Sequence, residues 1–429
     1  MRLSRYCKIF QDKINSDSVL LFSTRNASKL SIPKNLLKEI ESDKLSKEEK
    51  NTLTELGFLA KSHEHEKNEL LGLMDELNST NKTFKAIVVM NLDCNLACKY
   101  CFEGTRKGKF YMSRETADEF VEFVRNNITS GGLDKINLIF YGGEPLLSIG
   151  HIIYISEKLE TLCETEGTEY SFSLITNGTL LSPGIAERLK SLGLKSASVT
   201  LDGPREVHDI FRPYKTGKRS FDNIFKNVKN VCDIIDIQIG GNFTKDNYMQ
   251  FPLLLDYLYE EGLSPDKIST VRFDPVINEG EGIMPPDFHD GCNSSDEPWL
   301  LEAGLFLREE IIKRGYNTPK ITPGICMMEL RDNMLINYNG DIYKCPGMIS
   351  REEYKVGDIR TGVRDYRQSH YLDNWKNEKC LNCEYLPLCF GGCRYMKLVR
   401  DGNMDGIDCK KPYLDAALEA LVKQDIKYS

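Results

Sequence analysis

Between Phe84 and Pro275 the chain repeats one unit six times: a short apolar run that reads as a strand, then an amphipathic stretch that reads as a helix. The runs are AIVVMNL (86–92), INLIFYG (136–142), SFSLITN (171–177), SASVTLD (196–202), IDIQIGGNF (235–243) and STVRFDP (269–275), with helical stretches such as SRETADEFVEFVRNN and SPGIAERLKSLG between them. Strands that alternate with helices pair in parallel, because each crossover returns the chain to the same end of the sheet. Six units predict an α/β domain built as a partial (β/α)6 TIM-like barrel, with functional loops at the C-terminal ends of the strands.

The loop after the first run reads NLDCNLACKYCF and holds Cys94, Cys98 and Cys101. Free cysteine often packs as an inert small hydrophobe. The x3-then-x2 spacing, with Tyr100 before the last cysteine and Phe102 after it, argues for a metal cluster instead. Three thiolates hold a cubane iron-sulfur cluster and leave one iron without a protein ligand, whereas four close it. The segment resembles the radical SAM enzymes. That resemblance implies a catalytic [4Fe-4S] cluster on Cys94, Cys98 and Cys101, whose vacant iron is chelated by the amino and carboxylate groups of S-adenosylmethionine and whose electron cleaves the sulfonium to a 5′-deoxyadenosyl radical.

Gly142, Gly143, Glu144 and Pro145 follow the second run. A glycine turn alone is common. At this strand end it resembles the family's GGE motif, which implies backbone contact with the amino group of S-adenosylmethionine and a role for Glu144 in holding that ammonium. Thr176 and Asn177 end the third run and Asp202 the fourth, placing hydroxyl, amide and carboxylate groups where a ribose or a methionine carboxylate would lie. The continuation DGPREVHDIFRPYKTGKRSFDNI resembles peptide-modifying members of the family, which implies that Arg212 reaches the methionine carboxylate through its two-pronged fork. Asn242 is the candidate for the adenosine hydroxyls, and His208 reads as part of the local fold rather than as a general base.

The last hundred residues hold an ordered array: Cys326, Gly340 and Cys345, then CLNCEYLPLCFGGC with Cys380, Cys383, Cys389 and Cys393, and finally Cys409. Paired C-x2-C knuckles suit a structural zinc, but seven thiolates exceed one zinc site. The order resembles the SPASM extension of radical SAM enzymes, which implies two auxiliary clusters and three [4Fe-4S] clusters in all. By that resemblance Cys380, Cys383, Cys389 and Cys409 hold one auxiliary cluster and Cys326, Cys345 and Cys393 the other. The missing fourth ligand of the latter would come from Cys292 or from a substrate thiolate. Cys7, Cys163 and Cys232 read as structural.

Fourteen cysteines in an acidic chain of 429 residues do not describe a small secreted disulfide scaffold. A formal charge of -8 and a pI near 5.5 argue against nucleic acid and membrane surfaces as partners. No apolar run reaches membrane-spanning length and MRLSRYCKIFQDK has no apolar targeting core, so a cytoplasmic location is expected. The first eighty residues contain the strand-like SVLLFST and a helical run from Lys34 to Gly57; SHEHEKNE, with His63 and His65, reads as a solvated linker or helix start rather than a metal site. The resemblance implies a small winged module that grips a leader peptide, with a plain N-terminal extension as the alternative. The expected division is 1–80 leader-binding-like module, 81–285 radical SAM barrel, 286–325 bridge and 326–429 SPASM domain.

The resemblance further implies an enzyme that modifies a ribosomally made precursor peptide with a leader and is served by a reducing partner such as flavodoxin or ferredoxin. The leading product is a cysteine thioether; a carbon-carbon crosslink uses the same parts. The anaerobic sulfatase-maturing enzymes, which form formylglycine, share every motif. They resemble one another in an acidic residue after the cysteine equivalent to Cys345, where this chain has Pro346 and Gly347. A non-catalytic scaffold stabilised by metal is the reading from another class.

Overall fold

The computed structural model describes residues 1–12, 15–101, 103–278, 291, 292, 294 and 297–428. The chain forms two compact units, Asn81–Pro319 with Arg331–His370, and Met1–Thr80 with Lys320–Leu330 and Tyr371–Ser429. The four consecutive segments expected from the sequence are thus regrouped: the N-terminal eighty residues join the C-terminal cysteine array, and residues 331–370 join the barrel.

In the barrel unit β1 (Thr83–Val89), β2 (Lys135–Tyr141), β3 (Glu169–Thr176), β4 (Leu194–Thr200), β5 (Asp236–Phe243) and β6 (Ile268–Pro275) lie side by side and all parallel. Each falls within three residues of its expected span. Connecting helices include α1 (Arg114–Gly131), α2 (Ile149–Glu166), α3 (Pro183–Lys190), α4 (Arg205–Phe211), α5 (Phe221–Val231) and α6 (Phe251–Glu260). In β2 the side chains of Ile136, Leu138 and Phe140 are fully buried and alternate with half-buried neighbours, as a two-residue period demands. Helix α1 answers with Ala117, Phe120, Val121, Val124 and Ile128, one stripe at helical spacing. It begins where the Ser113 side chain accepts the Thr116 amide and stops at Gly132, whose φ of 57° is left-handed. Each of the larger apolar side chains so buried contributes about 1.5–3 kcal/mol.

An open parallel sheet leaves its first strand unpaired on one side, an edge that proteins cover. Here β7 (Asn333–Ile336) covers it, running parallel to β1 with Leu335 opposite Ile87, and β8 (Asp341–Tyr343), β9 (Gly357–Asp358) and β10 (Gly362–Val363) follow antiparallel. The sheet order is β6-β5-β4-β3-β2-β1-β7-β8-β9-β10. Buried Met334, Leu335 and Ile336 are the reason this segment belongs to the barrel core.

The other unit opens with a three-stranded antiparallel sheet, Cys7–Gln11, Ser18–Ser23 and Lys29–Pro33, followed by helices Lys34–Glu41, Lys47–Glu55 and His63–Thr80. The single helical run expected up to Gly57 is broken, because Ser46 and Glu49 form a capping box that starts a new helix. His63 and His65 begin the third helix, where His63 Nε2 meets the Leu3 carbonyl at 3.2 Å and His65 pairs with Glu69. Leu20 and Phe22 of the sheet share a core with Tyr385, Leu414, Leu418 and Val422. Tyr6, Leu70 and Met74 share another with Trp375, Cys380, Leu386 and Phe390.

Candidate functional site

Chain-to-chain packing dictates the glycines of GGEP. A Cβ on Gly142 would stand 2.3 Å from the Asn91 carbonyl oxygen and one on Gly143 2.1 Å from that of Asp93. The Gly143 and Glu144 amides donate to those carbonyls at 3.0 and 2.8 Å, so the turn after β2 is laced to the cysteine loop after β1. The buried Glu144 carboxylate accepts from Thr176 Oγ1 and the Asn177 amide at 2.7 Å each and from the Leu146 amide at 3.0 Å. Burial pushes its pKa up, against those hydrogen bonds. Both oxygens join the ends of β2 and β3.

Asn177 continues the chain of contacts to the cysteines. Its Nδ2 donates to Asn95 Oδ1 at 2.8 Å and approaches Cys94 Sγ at 3.6 Å, and the Leu96 amide donates to the same sulfur at 3.4 Å. Burial pushes the Cys98 thiol up to about 12 and raises that of Cys94. A cation found only in the structure meets them: Lys107 hydrogen-bonds Cys101, and although burial opposes its charge, Cys101, Cys94 and Cys98 together hold its pKa above the usual range. Beside it Glu103 is buried with neither carboxylate oxygen partnered among the described residues, and burial lifts its pKa to about 7. Phe102 lies outside the described residues.

Expected cofactor contacts at the ends of two further strands and of α4 converge on one phenol. Tyr100 OH donates to Asp202 and accepts from Arg212 NH1 at 2.7 Å and Asn242 Nδ2 at 3.1 Å. The Asn242 amide donates to Asp202 Oδ1 at 2.7 Å. The Asp202 amide donates to His208 Nδ1 at 3.2 Å, so Nε2 carries the proton and donates to Ser220 Oγ at 3.0 Å, which in turn donates to the Arg212 carbonyl. Burial holds the His208 pKa well below its ordinary value, a neutral strut as expected. Arg212 is buried and its Nε has no acceptor among the described residues. A buried cation with an unused donor fits the carboxylate of S-adenosylmethionine.

In the other unit Cys380, Cys383, Cys389 and Cys409 line a single cavity of about 290 Å³. Backbone amides of Tyr385 and Gly391 donate to Cys383 and Cys389, and burial raises the thiol pKa of Cys380, Cys383 and Cys389. Among the described residues no three His, Cys, Asp or Glu side chains converge closely enough to grip one metal ion. Four thiols on one cavity, two of them met by backbone amides, are a donor set that fits an iron-sulfur cluster. Of the other expected ligands, Cys326 and Cys393 belong to this unit and Cys345 to the barrel unit. Cys292 is buried among Phe243, Phe251 and Leu300, with its backbone bonded to Val276 and Asn278, so its sulfur is part of a hydrophobic core.

A family model described as the radical SAM superfamily matches residues 88–254. The uncharacterized protein MJ0907 of Methanocaldococcus jannaschii is 30% identical over 260 residues, which cover 59% of this chain and 81% of that protein. The cysteine-type anaerobic sulfatase-maturating enzyme of Clostridium novyi is 25% identical, over 74% of this chain and 90% of its own length. Among solved structures, Streptococcus suis SuiB bound to the precursor peptide SuiA has a TM-score of 0.55 at 17% identity, covering 95% of this chain and 98% of that one.

Proposed function

Because this chain belongs to the radical SAM superfamily, we propose that it modifies a ribosomally made precursor peptide, joining a cysteine sulfur to a carbon of the same peptide as a thioether. S-adenosylmethionine and the cluster on Cys94, Cys98 and Cys101 would supply the hydrogen-abstracting radical. The protein's own residues hold and orient: Arg212 takes the methionine carboxylate, Tyr100, Asp202 and Asn242 fix the angle of its guanidinium, and Glu144 keeps three loops in register. Lys107 balances the charge of three thiolates. One auxiliary cluster is assigned to Cys380, Cys383, Cys389 and Cys409, where it would accept the electron left over when the carbon-sulfur bond closes.

The observation that carries this reading is the shared core between the N-terminal eighty residues and the four-thiol loop. It supports a machine in which a peptide-gripping module and an auxiliary redox site form one body. Formylglycine formation is the second reading, favoured by the sulfatase-maturating relative. That relative is matched over 90% of its own length yet leaves about a quarter of this chain unmatched, whereas the likeness to SuiB runs over 95%. The leader, a flavodoxin- or ferredoxin-type reductant and a cytoplasmic location belong to the same proposal.

Anaerobically reconstituted, reduced enzyme with S-adenosylmethionine and a candidate Cys-containing precursor separates the readings by mass spectrometry. Thioether formation removes two hydrogens and blocks alkylation of the cysteine. A carbon-carbon bond leaves the thiol alkylatable, and formylglycine gives an aldehyde that a hydrazide captures. Release of 5′-deoxyadenosine no higher than that of a Cys94, Cys98, Cys101 triple-alanine variant would overturn all three.

A further inference from the structure

Five contacts tie the N-terminal module to the loop that carries Cys380 and Cys383. Arg5 NH1 donates to Asn382 Oδ1 at 2.9 Å, and Thr24 Oγ1 donates to the Glu384 carbonyl at 2.7 Å. Lys8 Nζ stands 3.4 Å from Glu384 Oε1, on which Lys411 Nζ also lies at 2.9 Å. Both ammonium groups flank the Tyr385 ring, at 4.7 and 4.9 Å from its centroid. Tyr6 packs in one cluster with Cys380. Asn382, Glu384, Tyr385 and Lys411 line the same cavity as the four thiols. The module therefore braces, from behind, residues that line the four-thiol cavity.

We propose that Lys8, which the N-terminal module sets against Glu384 beside Lys411, is a positioning residue through which that module tunes the electron affinity of the auxiliary cluster held by Cys380, Cys383, Cys389 and Cys409. The inference rests on that cluster assignment. The physical reason is Coulombic: reduction adds one negative charge to a cluster, so a fixed cation beside it favours reduction and a fixed anion opposes it. Lys8 and Lys411 both lie within ion-pair distance of the one Glu384 carboxylate, so two cations and one anion are gathered beside Cys383. The two lysines come from segments some four hundred residues apart in sequence, and the anion sits next to a ligand.

The test uses full-length, anaerobically reconstituted protein and two readouts, iron and sulfide content and the midpoint potential of each cluster by spectroscopically monitored redox titration. Lys8→Gln is expected to lower the auxiliary midpoint, Glu384→Gln to raise it, and Lys8→Arg to keep it at the wild-type value. Iron content and the midpoint of the Cys94 cluster should stay unchanged in all three. Unmoved potentials with normal iron, or shifts of the same sign in Lys8→Gln and Glu384→Gln, overturn the proposal. Cys383→Ala separates the two levels of inference: if it leaves the iron count unchanged, the cluster assignment falls and this proposal with it, whereas iron that depends on Cys383 leaves the assignment standing whatever the potentials do.

Discussion

The three-thiol loop of the barrel and the four-thiol cavity of the other unit present the same side chain in two kinds of construction. The first is local. Cys94, Cys98 and Cys101 sit in one loop, and the residues around them, Glu144, Asn177, Asp202 and Asn242, all lie at or just beyond the ends of consecutive parallel strands. The second is assembled from a distance, with its loop packed against Tyr6, Leu20, Phe22 and Leu70 from the start of the chain. A barrel delivers loops to one end by its topology, so the sequence needs only the right residue at each strand end. The cavity has no such frame and must borrow one.

The sharpest way to break the comparison is to empty each site. Triple alanine replacement of Cys94, Cys98 and Cys101 should abolish 5′-deoxyadenosine release while the iron bound by the other unit remains; Cys380→Ala should remove that iron and spare S-adenosylmethionine cleavage. Loss of both clusters in either variant would mean that the sites are not independent. Next in size is the buried pair of Arg394 and Glu329, where Arg394 also donates to the Tyr371 carbonyl at 3.1 Å. Removing one partner strands a buried charge, so Arg394→Met should destabilise the protein by about 3–5 kcal/mol in denaturant unfolding, and the double change Arg394→Met, Glu329→Leu should cost less.

In the barrel, Arg212→Lys keeps the charge but loses the fork, and S-adenosylmethionine affinity measured by calorimetry should fall about 10- to 100-fold. Unchanged affinity would show that the unused Nε is not the carboxylate contact. The smallest effect is expected where the local frame is already slack. A Cβ on Gly184 in α3 meets nothing within 4 Å, and Gly184→Ala should raise stability by no more than about 1 kcal/mol.

Legibility in the sequence follows the same divide. All six barrel strands were readable because apolar runs bounded by turn residues, alternating with amphipathic helices, leave few other folds. The cysteine spacings were readable because ligand spacing is a local property. Lys107 carried no signal, being one lysine in a basic loop, GTRKGK, whose meaning appears only when three sulfurs surround it. Tyr100 was legible as a neighbour of Cys101 but not as the hub that links Arg212, Asp202 and Asn242. Glu144 was legible as a motif residue, yet its hydrogen bonds go to the protein itself.

What the sequence alone determined is therefore the repeating βα unit, the two cysteine arrays and the family resemblance that joins them, all of which depend on residues close together along the chain. Tertiary structure decided the rest: that β7 to β10 close the edge of the barrel sheet, that Cys292 lies in an apolar core, and that the N-terminal module forms one body with the four-thiol loop. Those outcomes turn on which apolar surfaces bury one another and which charges end up adjacent. Partners such as Lys8 and Glu384, 376 positions apart, leave no periodicity by which a sequence could announce them.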